Sequence, residues 1–184
     1  MSSKNNVFHY YVEGECEEKL INTYKKPPYS YFVPGKVEIL NVVQKEISRP
    51  RITALKANTI IIFVYDTDVE NDEMIQRNVN KLKKYGFRVY HIQSVKKFED
   101  EIVYASRVKS VLDVFKTDNE AEFKNHFILQ SNLPSKLLKV GFEIEKMWIR
   151  NVDEKSVFFK YYSSSSRKMI KASKPGYNKK QWFV

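Results

Sequence analysis

Hydrophobic and polar positions along the chain switch between two periods. Val7–Val12 (VFHYYV) is a short apolar and aromatic run that suits a buried strand, and it stops at Glu13-Gly14. Over residues 15–26 the spacing becomes helical, with Cys16, Leu20, Ile21 and Tyr24 on one face, until Pro27-Pro28 ends it. Residues 36–43 (KVEILNVV) read as a second strand. Residues 59–65 (TIIIFVY) are almost continuously β-branched or aromatic, as a central parallel strand is. A helix is predicted over 72–85, with Met74, Ile75, Val79 and Leu82 on one face and Gly86 closing it. Residues 87–93 (FRVYHIQ) alternate as a fourth strand.

Strands alternating with helices predict an α/β fold, a Rossmann-like open sheet of four mainly parallel strands over residues 7–95. Beyond it, 98–114 and 120–129 read as helices, 134–148 as a shorter helical pair around Gly141, and 157–162 as an edge strand. The expected organisation is an α/β domain over 1–105, a helical extension over 106–154 packed on it, and a basic, aromatic C-terminal segment over 155–184.

Composition adds a class. At 184 residues, 42% apolar and 14% aromatic, the chain is long enough and apolar enough to bury a core without staples. A single cysteine, Cys16, excludes a disulfide framework and a thiolate zinc site. No apolar run approaches the roughly 20 residues that span a bilayer. MSSKNNVFHYY lacks the apolar core of a secretory leader, so a cytoplasmic protein without a membrane partner is expected.

Charge adds a partner. The net charge is +10, and residues 155–184 hold eight basic residues and no acid, so the rest of the chain is nearly neutral. Clustered cations favour polyanions, most simply nucleic acid. Arg167, Lys168, Lys171, Lys174, Lys179 and Lys180 alternate in that segment with Tyr177, Trp182 and Phe183, behind Phe158, Phe159, Tyr161 and Tyr162. Cations for phosphates and rings for unpaired bases suit single strands or RNA. The same rings would equally serve to dock the segment on the body. Arg49, Arg51 and Lys56 (in RPRITALK) form a second basic stretch.

Ligands of open α/β sheets bind beyond the carboxyl ends of the strands. There the chain gathers acids: Glu13 after the first strand, Asp66 and Asp68 after the third, and Glu99 behind Ser94 after the fourth. Crowded carboxylates call for a cation, and all-oxygen donors select Mg²⁺ or Mn²⁺ over zinc. An Asp-x-Asp leaving a strand can aim both carboxylates at one ion. Such an ion is often shared with a phosphate, which suits phosphodiester chemistry. Glu15, Glu17 and Glu18 read instead as first-turn acids that favour the helix dipole.

YYVEGECEEKL (10–20) and IIIFVYDTD (60–68) resemble the two defining motifs of the TOPRIM domain, in which one hydrophobic strand ends in Glu-Gly and a later one in Asp-x-Asp. Ser94 followed by Phe98-Glu99 is similar to the Ser-x-Pro-x-Phe-Glu stretch of RloB-like proteins, without its proline and with looser spacing. The resemblance covers about residues 7–105. It implies a TOPRIM nuclease of the small RloB-like or OLD-like kind, a hydrolase with a role in phage defence. Glu13 would be its catalytic glutamate and metal contact, Asp66 and Asp68 its Mg²⁺ ligands, and Glu99 an extra acid. It further implies an ABC-type ATPase or another defence-system protein as partner. The chain has no Walker loop of its own.

Two other classes stay open at this point. One is a non-catalytic nucleic-acid-binding adaptor or regulatory subunit. The other is a haloacid-dehalogenase-like phosphatase, since DTDV is similar to the nucleophile motif of that family. In that family, however, the motif opens the sheet, whereas here a Glu-Gly strand precedes it.

Overall fold

The computed structural model describes residues 6–162. Four parallel strands, β1 (Val7–Val12), β2 (Gly35–Ile39), β3 (Thr59–Asp66) and β4 (Arg88–Ser94), form one sheet in the order β2-β1-β3-β4. The α/β class and the Rossmann-like sheet predicted from the pattern are those observed. Both faces of the sheet are covered, which is why β3 alternates without a polar side. Ile62 and Val64 enter one core, Ile61, Phe63 and Tyr65 the other.

The first core lies beneath α1 (Glu15–Tyr24), α4 (Phe98–Ala105), α5 (Glu120–Leu129) and α6 (Leu133–Lys139). Phe98, Phe115, Phe123 and Phe127 pack edge-on or tilted at its centre. The helices after Ser106 therefore complete a core that α1 and α4 begin. The second core lies beneath α2 (Arg49–Thr53) and α3 (Glu73–Lys84), and Val152 and Phe158 join it from the end of the described chain.

Four elements depart from their predicted extents by more than two residues, or from their predicted type. β2 stops at Ile39 because Asn41 turns the chain, its Oδ1 accepting the N–H groups of Val43 (3.0 Å) and Gln44 (3.1 Å). The helix expected over 98–114 ends at Ala105, where the backbone takes partners across the fold: Glu143 N–H donates to Ala105 O and Arg107 N–H to Val140 O. A 3-10 turn at Val111–Val114, capped by Ser110, follows. The second half of the pair expected over 134–148 is a 3-10 turn at Ile144–Lys146. The edge strand expected over 157–162 is a 3-10 turn at Phe159–Tyr161. Phe158 is turned into the core there, and Gln93 Nε2 donates to its carbonyl at 2.8 Å. The six basic positions Arg167, Lys168, Lys171, Lys174, Lys179 and Lys180 lie outside the described residues. Among the described residues no helix is long and apolar enough to cross a membrane.

Two close contacts fix the sheet and its loops. A Cβ on Gly35 would lie 2.5 Å from the carbonyl oxygen of Phe8, so only glycine lets β2 lie this close to β1. The fully buried Asn78 of α3 accepts from Ile47 N–H and donates to Val42 O and Lys45 O, all at 2.8–2.9 Å. It thereby ties the loop between β2 and α2 to the body.

Candidate functional site

A strand order of β2-β1-β3-β4 places the topological switch point between β1 and β3, since the chain leaves β1 toward one edge and later builds toward the other. Open α/β sheets bind ligands at that crevice. Glu13 follows β1 and Asp66 ends β3, so the two acids expected to lead the chemistry flank it. Their geometry is tight. Asp66 N–H donates to Glu13 Oε2 at 3.0 Å, and Asn41 Nδ2 donates to Glu13 Oε1 at 2.8 Å. The Asn41 amide is itself oriented by the turn it caps. Both oxygens of Glu13 are thus aimed before any ligand arrives.

Glu13, Glu17, Asp66 and Glu99 line one cleft of about 210 Å³ with Cys16 and Lys124. Glu17 was read from the sequence as a first-turn acid, and it does accept the Gly14 N–H at 3.2 Å, the return half of a capping box. Yet it is only 4% exposed and faces the other carboxylates. The missed signal is spacing. Glu17 lies one helical turn beyond Glu13, at the helix start that points into the crevice. Gly14 leaves room for it, because a Cβ there would lie 3.3 Å from Glu17 Oε2.

The cleft works against its own charges. Burial raises Glu13 above the usual carboxylate range, against the opposing Asp66 N–H hydrogen bond, and the Asp68 charge adds to the rise. Burial pushes Glu17 up to about 7, with Glu13 and Glu99 contributing. Asp66 goes furthest, to about 8, through burial and the charges of Glu17 and Glu13. Hydrogen bonding from Ser94 and from the Phe98 N–H acts in the opposite direction. Ser94 is suited to this, since its hydroxyl accepts from Trp148 Nε1 at 3.1 Å and keeps its proton for Asp66. Nevertheless Asp66 Oδ1 is buried without any hydrogen-bond partner. Cys16 is a protonated thiol here, pushed up to about 12 by burial.

The remaining predicted positions fall as follows. Glu99 is buried and pairs with Lys124 of α5 at 3.0 Å, so the helical extension contributes a cation to the cleft. Asp68 is exposed and does not line the cleft, although its charge is felt at Glu13. Between the two aspartates Thr67 staples β3 to β4, its Oγ1 donating to Ser94 O at 2.8 Å and accepting from Lys96 N–H at 3.1 Å. Arg49 is exposed at the start of α2, and Arg51 is committed to Glu38 at 3.0 Å. Lys56 precedes β3 and so lies at the amino end of the strands, opposite the carboxylates. Glu101 is fully buried and structural. It accepts from Val95 N–H and Trp148 N–H and pairs with Arg150 at 2.9 Å.

Among the described residues no three His, Cys, Asp or Glu side chains form a ready-made metal cage. The donor set still fits a hard cation that keeps most of its waters. It is all carboxylate, it holds a buried and unpartnered oxygen at Asp66 Oδ1, and burial and mutual repulsion raise its acids, a rise that a cation would relieve. No protein-family model matches the chain, and no curated protein and no solved structure matches it.

Proposed function

We propose that the chain is a Mg²⁺- or Mn²⁺-dependent nuclease of the TOPRIM type that hydrolyses phosphodiester bonds of RNA or DNA. One observation carries the reading: Glu13 and Asp66 meet at the switch point with Glu13 oriented at both oxygens and Asp66 Oδ1 buried and unpartnered. Asp66 and Glu13 would hold the ion, with Asp68 or Glu99 beside them. When bound, it supplies charge neutralisation of the scissile phosphate and an acidified water. Glu17, titrating near neutrality, is matched to accept a proton at its carboxylate. Lys124, oriented by Glu99, presents an ammonium at the cleft for a phosphate oxygen. The resemblance to RloB-like proteins supports a role in phage defence beside an ABC-type ATPase.

The test is incubation of the protein with labelled single- and double-stranded RNA and DNA in EDTA, Mg²⁺ or Mn²⁺. The expected result is metal-dependent cleavage that Asp66→Ala and Glu13→Gln abolish while both variants keep their circular dichroism. Strand binding without cleavage under either metal would replace the nuclease by the adaptor. Hydrolysis of a phosphate monoester that survives Glu13→Gln but not Asp66→Asn would replace it by the phosphatase.

A further inference from the structure

A second cavity, about 440 Å³ against about 210 Å³ for the carboxylate cleft, lies between α3 and the edge strand β4. Its volume is within the range of about 300–1,000 Å³ that small-ligand sites occupy. Val79, Val89 and His91 line its depth, and burial pushes the His91 imidazole down to about 3, so it adds no charge. Gln76, Asn80 and Lys83 of α3, spaced i, i+4 and i+7, form one polar wall. Tyr90 stands on the strand side, and Lys160, Tyr161 and Tyr162 close one end.

That closing segment is held in place by specific bonds. Gln93 Nε2 holds Phe158 O, while Tyr161 Oη and Lys160 Nζ both reach Asp72 Oδ2 at 2.6 Å. Tyr161 also stacks on His91, with centroids 4.8 Å apart and planes 26° from parallel. Lys160 is therefore committed to Asp72, whereas Lys83 enters no ion pair among the described residues.

Each part of the lining has a counterpart in one ligand class. Primary amides both donate and accept, as the edge of a nucleobase requires. Tyrosine rings take a base by stacking, and an uncommitted ammonium takes a phosphate. An apolar ligand would leave the Gln76–Asn80–Lys83 wall unmatched, and an acidic peptide would leave the rings unused. Beyond Tyr162 the sequence carries six basic residues and no acid. Tyr161 is engaged by both His91 and the Lys160 ammonium, so the base platform falls to Tyr90 and Tyr162. We infer that this groove binds an unpaired nucleotide of a nucleic-acid strand, its base on Tyr162 or Tyr90 and against Gln76 and Asn80, its phosphate on Lys83. The inference takes its occupant from the nuclease reading above, but binding here needs neither metal nor cleavage.

The experiment is fluorescence anisotropy of short labelled oligo(dT), oligo(U) and a duplex with the full chain in EDTA across a salt series. Wild-type protein, Asn80→Ala, Lys83→Ala and Tyr162→Ala are compared. Asn80 and Lys83 are exposed on α3, so truncating them leaves the core intact. Tyr162→Ala is expected to weaken single-strand binding about tenfold, as loss of one stacked base does. Asn80→Ala is expected to weaken it several-fold, and Lys83→Ala to flatten the salt slope by about 0.7. Duplex binding should change little in Asn80→Ala and Tyr162→Ala. Single-strand binding absent from the wild type, or unchanged in all three variants, overturns the inference. Tighter binding by the variants also overturns it and makes a segment of this chain the occupant. A parallel cleavage assay separates the two readings. Groove-dependent binding without metal-dependent cleavage upholds the groove and removes the nuclease, and cleavage with groove-independent binding does the reverse.

Discussion

Replacing Asp66 by asparagine should make the metal-free protein more stable, and more so at high pH. Asp66 has an ordinary value of 3.8 that burial and the Glu17 and Glu13 charges push up to about 8. A raised acid binds its proton more tightly in the folded state, so folding is favoured below the unfolded value. That advantage is lost as pH rises from about 4 to about 8. Between pH 5 and pH 8 the loss has a ceiling of about 4 kcal/mol, at 1.36 kcal/mol per unit. Local rearrangement and water entry reduce such penalties, and we expect about 2 kcal/mol to be realised. In a domain of this length that corresponds to about 4–8 °C in Tm. Asparagine keeps the shape, carries no charge and offers its amide to the neighbouring carboxylates. Thermal melts followed by circular dichroism in EDTA should therefore show Asp66→Asn melting about 4–8 °C above the wild type at pH 8. At pH 5, where Asp66 is protonated, the two should nearly coincide. A variant that melts lower at pH 8, or gains equally at both pH values, would refute the reasoning.

The same electrostatics predict that Mn²⁺ or Mg²⁺ raises the wild-type Tm at pH 7, with proton release. Calorimetric titration in two buffers of different ionisation enthalpy should give different apparent heats, and Asp66→Asn should lose both effects. Asn41→Ala removes the amide that aims Glu13 Oε1, and should lower kcat of metal-dependent cleavage about tenfold or more while KM changes little. Asn78→Ala takes the side-chain partner from the buried Ile47 N–H and Val42 O and from the part-buried Lys45 O, and should cost about 2–3 kcal/mol in urea unfolding at unchanged m-value. Gly35→Ala should be destabilised by a similar or larger amount, because its Cβ would overlap the Phe8 carbonyl and part β2 from β1.

The fold was legible wherever a period was sustained. β1 and α5 have the bounds that apolar runs and flanking polar residues set for them, and β3 extends one residue further, to Asp66. The pattern failed where long-range partners decided the outcome. Leu40, Val42 and Val43 continue the apolar run of β2, but Asn41 withdraws its neighbours' N–H groups into a turn. Residues 106–110 continue a helical pattern, but Arg107 N–H donates to Val140 O and Ala105 O accepts from Glu143 N–H, partners more than thirty positions away in the chain. The alternation over 157–162 gives way to Phe158, which is worth more in the second core than a ladder at the sheet edge.

At the site, residue types were legible and allegiances were not. Glu13 and Asp66 come from adjacent parallel strands, so their meeting follows from topology once both strands are placed. Glu17 has the sequence of a helix cap and is one, but the same backbone bond that makes it a cap holds its carboxylate in the cleft. Asp-x-Asp suggests two equivalent arms, yet Thr67 uses the middle position to close β3 on β4. That closure keeps Asp66 inside, where Ser94 and Phe98 meet it, and leaves Asp68 in solvent. The two aspartates are therefore different acids. The half-buried one is pushed up to about 8 by burial and its carboxylate neighbours, while the exposed one lends its field to Glu13. An ion arriving from solvent would meet Asp68 first and gain most from Asp66. Asp68→Asn should accordingly weaken metal affinity with little change in metal-free Tm, the opposite of what Asp66→Asn does to stability.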